Sequence, residues 1–278
     1  MRRAALTPVL LASLLLATAA CAPQEQRPSA APVGSCAKAE LNLVKAGRFT
    51  VGTDTPAFAP WFKGEPSSGE GFESAVAYAV AGRLGFARTE VDWVTVPFTA
   101  AYAPGAKSFD LDFNQVSITP ARAQTVDFST GYYQVRQALV APRTSRAASA
   151  RTLAELRSVP LGAMVGTTSL EAITKVVGAE PTVLNDNNDL KSALVNGTIQ
   201  GAVVDLPTAV EITTVQLPGS VIVGQFAGAT KEEFGAVLAK DSPLTGCVNQ
   251  AIGQLRASGE LDRLTGRWLP AHDAPTLR

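Results

Sequence analysis

The chain has 278 residues, of which 46% are hydrophobic; that is enough to bury a large core, and chains beyond roughly 250 residues tend to divide into more than one domain. Its 24 basic and 24 acidic side chains balance, and removing residues 1–20, with Arg2 and Arg3, leaves 22 against 24. A near-neutral chain has no electrostatic footprint for nucleic acid or for an anionic lipid surface.

Arg2 and Arg3 precede an apolar stretch from Ala4 to Ala20, which ends in small residues before Cys21. The stretch is short for a span of ~20 apolar residues and reads as a signal peptide over residues 1–20. Small residues before a cysteine resemble a bacterial lipoprotein signal, with Cys21 as the acylated first residue. Pro, Ala, Gln and Ser dominate from Ala22 to Gly34, a composition that builds no core, so residues 21–40 are expected to be a flexible tether. If Cys21 carries lipid, Cys36 and Cys247 remain as an even pair in an oxidising compartment, where a disulfide is the default. Two buried free thiols are the other reading. Neither a C-x-x-C nor a histidine beside either cysteine suggests a metal site.

Arg48 to Thr53 reads as a strand, followed by an irregular loop, D-T-P-A-F-A-P-W-F, from Asp54 to Phe62. Aromatic residues on a loop at a strand's end often line a pocket, which points to Phe58 and Trp61, whereas Phe62 is expected in the core. Val76, Val80 and Leu84, with Ala77 and Ala81, recur at helical spacing over Ser74 to Leu84. Thr89 to Val96 alternates as a strand, with Phe98 just past its end, and Asp110 to Gln115 reads as another. Pro120 after Thr119 then suits the first residue of a short helix, with the threonine hydroxyl as its cap. Arg122 would stand in the first turn, where a positive charge opposes the helix macrodipole. Either it is a solvated surface residue, or its planar fork of donors waits there for a carboxylate.

A second lobe is expected to begin near Gln137, with a buried strand at Ala138 to Ala141. Leu161 to Val165 is a strand, Gly166, Thr167 and Thr168 turn, and Ser169 to Val177 is a helix. Amides at such a helix start favour negative charge. Asp189 to Asn196 is a further helix, and Gly201 to Val204 is a buried strand ending in Asp205. In open α/β sheets ligands sit at the carboxyl ends of strands, which is where Asp205 stands. The bland alternative makes it the N-cap of the helix opened by Pro207. Ser220 to Phe226 is the strand that crosses back, Phe234 to Lys240 is ambiguous between strand and helix, and Thr245 to Ala257 is helical.

Taken in order, G-T-D with an aromatic-proline loop (Gly52 to Trp61), G-F-E (Gly71 to Glu73), S-I-T-x-x-R (Ser117 to Arg122), V-D-F-S (Val126 to Ser129), V-G-T-T-S (Val165 to Ser169) and D-L at Asp205 resemble the family 3 solute-binding proteins of amino-acid ABC transporters. The resemblance covers about residues 40 to 270. It implies an α/β, type II periplasmic-binding-protein fold, with each lobe a mostly parallel sheet flanked by helices and two hinge strands joining them. Lobe 1 would comprise residues 41–136 and 227–278, and lobe 2 residues 137–226. By resemblance, Arg122 grips a ligand α-carboxylate, assisted by Ser117, Thr167 and Thr168, while Asp205 takes the α-ammonium and the backbone at Gln115 helps. Asp54, Phe58 or Trp61, and Phe98 match positions facing the ligand side chain. The second acid usual after G-F-D is here Ala75, and for the ambiguous run after Phe234 the resemblance favours a strand. The implied function is delivery of an extracellular amino acid to a membrane permease by a lipid-anchored monomer, without cofactor, metal or catalysis. A cyclohexadienyl-dehydratase-like enzyme, for which Glu73 and Glu171 are available acids, and an amino-acid-sensing lipoprotein are the alternatives.

Overall fold

Residues 36–227, 231–269 and 271–278 are described by a computed structural model. The Cys21 expectations lie outside these residues. The first sheet grows around β1 (Phe49–Thr53), which is buried on both faces as a central parallel strand must be. Helix Phe72–Arg83 follows and buries Phe72, Val76, Ala77, Val80 and Ala81 against it. Its start lies two residues before the expected one, after Gly71 at φ 93°. β2 (Val91–Thr95) and β3 (Leu111–Asp112) then flank β1 in parallel. β3 is shorter than the sequence pattern suggests, because the chain turns at Gln115, whose φ is 50°. The helix expected from Pro120 is a single 3-10 turn, Arg122–Gln124, with the Arg122 amide donating to Thr119 Oγ1 at 3.2 Å. β4 (Asp127–Phe128) closes the far edge of this sheet.

The chain leaves through β5 (Tyr133–Val135) and enters the second sheet as β6 (Gln137–Pro142). β7 (Leu161–Met164), β8 (Pro181–Leu184) and β9 (Gly201–Asp205) run parallel to one another, separated by helices. β10 (Ser220–Phe226) pairs antiparallel with β6. β11 (Glu232–Phe234) pairs antiparallel with β5, and β12 (Val237–Leu238) rejoins the first sheet. The run after Phe234 is thus strand. The two connections between the sheets are these neighbouring antiparallel pairs, and the resulting sheet orders are β2-β1-β3-β12-β4 and β13-β10-β6-β9-β7-β8. Both sheets are mixed, the antiparallel pairs coming from the strands that cross between lobes and from β12.

Two details differ from the expected boundaries. The last strand, β13 (Thr276–Leu277), pairs with β10 in the second sheet, so the chain end is not confined to the first lobe. The segment expected as tether is held from Cys36 onward. Cys36 is bonded to Cys247 in helix Thr245–Ala257, with Cα atoms 5.5 Å apart. Lys38 pairs with Glu90 at 2.6 Å. Both cysteines pack in the first-lobe core with Phe49, Phe72 and Val248, so the bridge does not cross between the sheets.

Candidate functional site

The carboxyl ends of β1, β3, β7, β8 and β9 converge on a cavity of about 350 Å³. This is where a parallel α/β sheet offers free strand ends and helix starts to a ligand. Of the residues singled out in the sequence, Asp54, Phe58, Phe98, Gln115, Ser117, Thr167, Thr168 and Asp205 line it. Arg122 and Trp61 do not.

Arg122 stands behind the wall, 8% exposed. Its Nη1 donates to the Ser117 carbonyl at 2.8 Å and its Nη2 to the Gly166 carbonyl at 2.8 Å, so one guanidinium ties the first lobe to the turn after β7. The rings of Tyr102 and Phe98 cover it, with centroids 4.5 and 5.6 Å from Cζ. Burial lowers its pKa from the usual guanidinium value, but an arginine has so much margin that it stays charged. This is not a solvated surface arginine. Trp61 is 1% exposed among Phe72, Tyr133 and Phe234. Its indole N–H donates across to Thr208 Oγ1 at 2.9 Å, so of the two loop aromatics Phe58 is the one at the cavity wall. Phe62, although 1% exposed, reaches that wall too.

Asp205 occupies the N-cap position of helix Leu206–Glu211 but makes no side-chain cap bond. Its Oδ1 instead accepts from Gln137 Nε2 at 2.8 Å, turning the carboxyl into the cavity. Gln137, the first residue of β6, also bonds Ser169 through its carbonyl and approaches Glu232 at 3.3 Å. Glu232 Oε1 accepts from the Ser117 and Thr168 hydroxyls, each at 2.6 Å. One carboxylate therefore joins a hydroxyl from each side of the cavity. Burial first, and Glu232 second, push the Asp205 pKa up to about 8. The folded value lies above that of an ordinary aspartate, about 3.9, so between these two pH values the folded state holds more protons than the unfolded one. The stabilisation is full below the unfolded pKa and is lost as pH rises through about 8. Melting temperature without added amino acid is expected to fall from pH 6 to pH 9, and Asp205→Asn should flatten that slope. An unchanged slope would contradict this placement of Asp205.

On the other side, Asp54 Oδ1 accepts from the Thr55 amide at 2.7 Å and Oδ2 from the Phe98 amide at 3.0 Å, which sets the strand end and the Phe98 ring. The main-chain N–H of Gln115 points away from the cavity. It donates to Glu73 Oε1 at 2.9 Å, beneath the cavity floor. The left-handed backbone of a residue with a Cβ costs about 1 to 2 kcal/mol, and Glu73 supplies the compensating bonds.

A family model described as bacterial extracellular solute-binding proteins, family 3, matches residues 49–271. The chain belongs to this family of solute-binding proteins. Among relatives of this family 3 chain, the arginine-binding extracellular protein ArtP of Bacillus subtilis is 27% identical over 206 residues, covering 71% of this chain and 77% of its own. The L-cystine-binding protein TcyJ of Escherichia coli is 28% identical over 238 residues, covering 83% and 86%. Among solved structures, an ancestral arginine-binding protein bound to glutamine superposes with TM-score 0.69 at 26% identity over 81% of this chain and 99% of that one. The ancestral amino-acid-binding protein AncCDT-1, a precursor of cyclohexadienyl dehydratase, gives TM-score 0.67 at 26% identity, covering 80% and 95%.

Residue reading missed Glu232 and Gln137, which carry no motif; one precedes the ambiguous run from Phe234 and the other stands at the lobe junction. Only the return of the chain beside β5 brings Glu232 to Ser117.

Proposed function

We propose that this solute-binding protein captures one extracellular amino acid in the cavity and presents it to the permease of an ABC transporter. The reading is supported by Asp205 of the second lobe and Ser117 of the first lining the same cavity, with Arg122 directly behind Ser117. A zwitterion needs a fork of donors for its carboxylate and an acid for its ammonium; supplying them from different lobes makes binding favour closure. Arg122 would exchange carbonyl bonds for carboxylate bonds, Thr167 and Thr168 would add donors from the helix start, and the ammonium would ionise Asp205. Asp54, Phe58 and Phe98 face the ligand side chain. The acids Asp54 and Asp205 at the wall, together with relatives named for arginine and L-cystine, favour a cationic or polar amino acid.

A thermal-shift panel of the protein against the twenty amino acids and L-cystine tests the reading. A ligand at ~100 times its Kd adds about 2.7 kcal/mol, which for a chain of this size is a rise of roughly 5 to 10 °C. No shift with any of them would contradict it.

Catalysis is the weaker reading. Glu73 accepts three hydrogen bonds below the floor, and Glu171 is exposed and paired with Lys175 at 2.6 Å. Neither is poised to deliver a proton in the cavity. Turnover of prephenate or arogenate would overturn this.

The protein acts as a monomer outside the cytoplasm, held to the membrane by lipid on Cys21. No helix among the described residues is long and apolar enough to cross a membrane. Cys21→Ser should move the protein from the membrane fraction to the soluble fraction, and unchanged membrane association would refute the anchor.

A further inference from the structure

Beneath the cavity lies a buried acid that does not line it, Glu73. Glu73 is the second residue of helix Phe72–Arg83 and has no exposed surface. Three donors converge on its carboxylate. Oε1 accepts from the Gln115 backbone N–H at 2.9 Å and from the Tyr132 hydroxyl, and Oε2 accepts from the Gln115 side-chain amide. Main chain and side chain of one residue thus converge on one carboxylate. The helix start behind it favours negative charge there.

Gln115 is one of two residues other than glycine with positive φ among those described, at 50°. It is held on both sides. Asn114 donates from Nδ2 to the Val96 carbonyl at 3.2 Å, and Val116 is buried in a small core under the cleft. Ser117 follows, whose hydroxyl lines the cavity and whose carbonyl holds Arg122. A β-region backbone at Gln115 would redirect this segment, because the left-handed φ is what turns the chain out of β3.

We propose that Glu73 is a positioning residue of the binding site: by holding Gln115 in its left-handed conformation from below, it fixes the floor and places Ser117 and Arg122 for the ligand's carboxylate. This deepens the amino-acid reading and rests on it for its affinity arm alone. Burial raises the Glu73 pKa to about 7, with Tyr132 and Gln115 opposing the shift. The titratable groups that its charge acts on are Tyr132, Asp112 and Asp205.

Glycine adopts φ near 50° without a Cβ penalty, so Gln115→Gly should make the floor independent of Glu73. The test is a cycle of wild type, Glu73→Gln, Gln115→Gly and the double variant in the full chain. Backbone amide exchange of residue 115 and its neighbours is measured by NMR without added amino acid. Affinity for L-arginine, L-histidine and L-cystine is measured by calorimetry. Glu73→Gln alone should speed exchange of the Gln115 amide and weaken binding by about tenfold or more, a coupling of the size contacting residues show. In the Gln115→Gly background the same change should alter affinity less than about threefold. An equal loss in both backgrounds, or unchanged exchange at Gln115, would overturn the proposal.

Folding does not obscure the answer. If Glu73→Gln fails to fold but the double variant folds, Gln115 strain is the cause and the proposal stands; if neither folds, Glu73 acts elsewhere and it falls. If wild type binds none of the three probes, their place as ligands falls, while the exchange comparison still decides the role of Glu73.

Discussion

Arg122→Ala and Asp205→Asn are each expected to weaken amino-acid binding by roughly 30-fold to several thousand-fold, the range for truncating one partner of a buried charge pair at about 2 to 5 kcal/mol. The two side chains stand on different lobes, so each contact with a zwitterion is made in full only when the lobes are closed. Losing Arg122 also removes its bonds to the Ser117 and Gly166 carbonyls, which lie on opposite sides of the cavity. The population of the closed form should therefore drop together with affinity. Asp205→Asn keeps the shape and the bond to Gln137 but cannot carry charge, so its loss should be confined to ligands with a free ammonium. Arg136 lies at the lobe junction, where its side chain donates to Gln225 Oε1 at 3.2 Å. Arg136→Ala is the control, with an effect of a few-fold at most. Calorimetry with circular dichroism as the folding check decides the comparison, and near-normal affinity in either charge variant would mean that the site is wrong.

The disulfide is the second large effect. It closes a sequence separation of 211 residues, for which the loop-entropy model assigns about 5 kcal/mol at 25 °C, and removal of native bridges typically costs about 2 to 5. Replacing both cysteines with serine should lower the melting temperature by roughly 5 to 15 °C. The bridge pins the first described residue of the chain to helix Thr245–Ala257, within one lobe. Affinity at a temperature where the variant is folded should accordingly stay within about twofold of wild type, the additivity limit for distant sites being about 0.5 kcal/mol. A large affinity loss with an unchanged melting temperature would contradict this account.

Much of the fold was legible because its elements are strongly patterned. β1, the helix Thr245–Ala257 and β10 lie within a residue of where periodicity placed them. Boundaries failed where a single residue overrides the pattern. Gln115 falls inside the run read as β3, yet its backbone is left-handed and is held by Glu73, 42 positions away. No local signal carries that information. Asp205 shows the opposite case. Its sequence context, before a proline that opens a helix, suits a cap, and only the presence of Gln137 on the adjacent strand β6 draws the carboxyl into the cavity. Trp61 and Phe58 could not be separated by spacing, since an irregular loop with two prolines has no period. Packing separates them, placing the indole among three rings and leaving Phe58 at the wall. Glu232 was unreadable for a topological reason, as it reaches Ser117 only after the chain has visited the second sheet and returned.

In the proposed complex one amino acid spans the cavity with its carboxylate toward the first lobe and its ammonium toward the second. The most direct test is the crystal structure of the protein with the amino acid that raises its melting temperature most. The account predicts the carboxylate within hydrogen-bond distance of Arg122, Ser117 and the Thr167–Thr168 turn, with the ammonium on Asp205. A ligand bound in the reverse orientation, or outside this cavity, would contradict it.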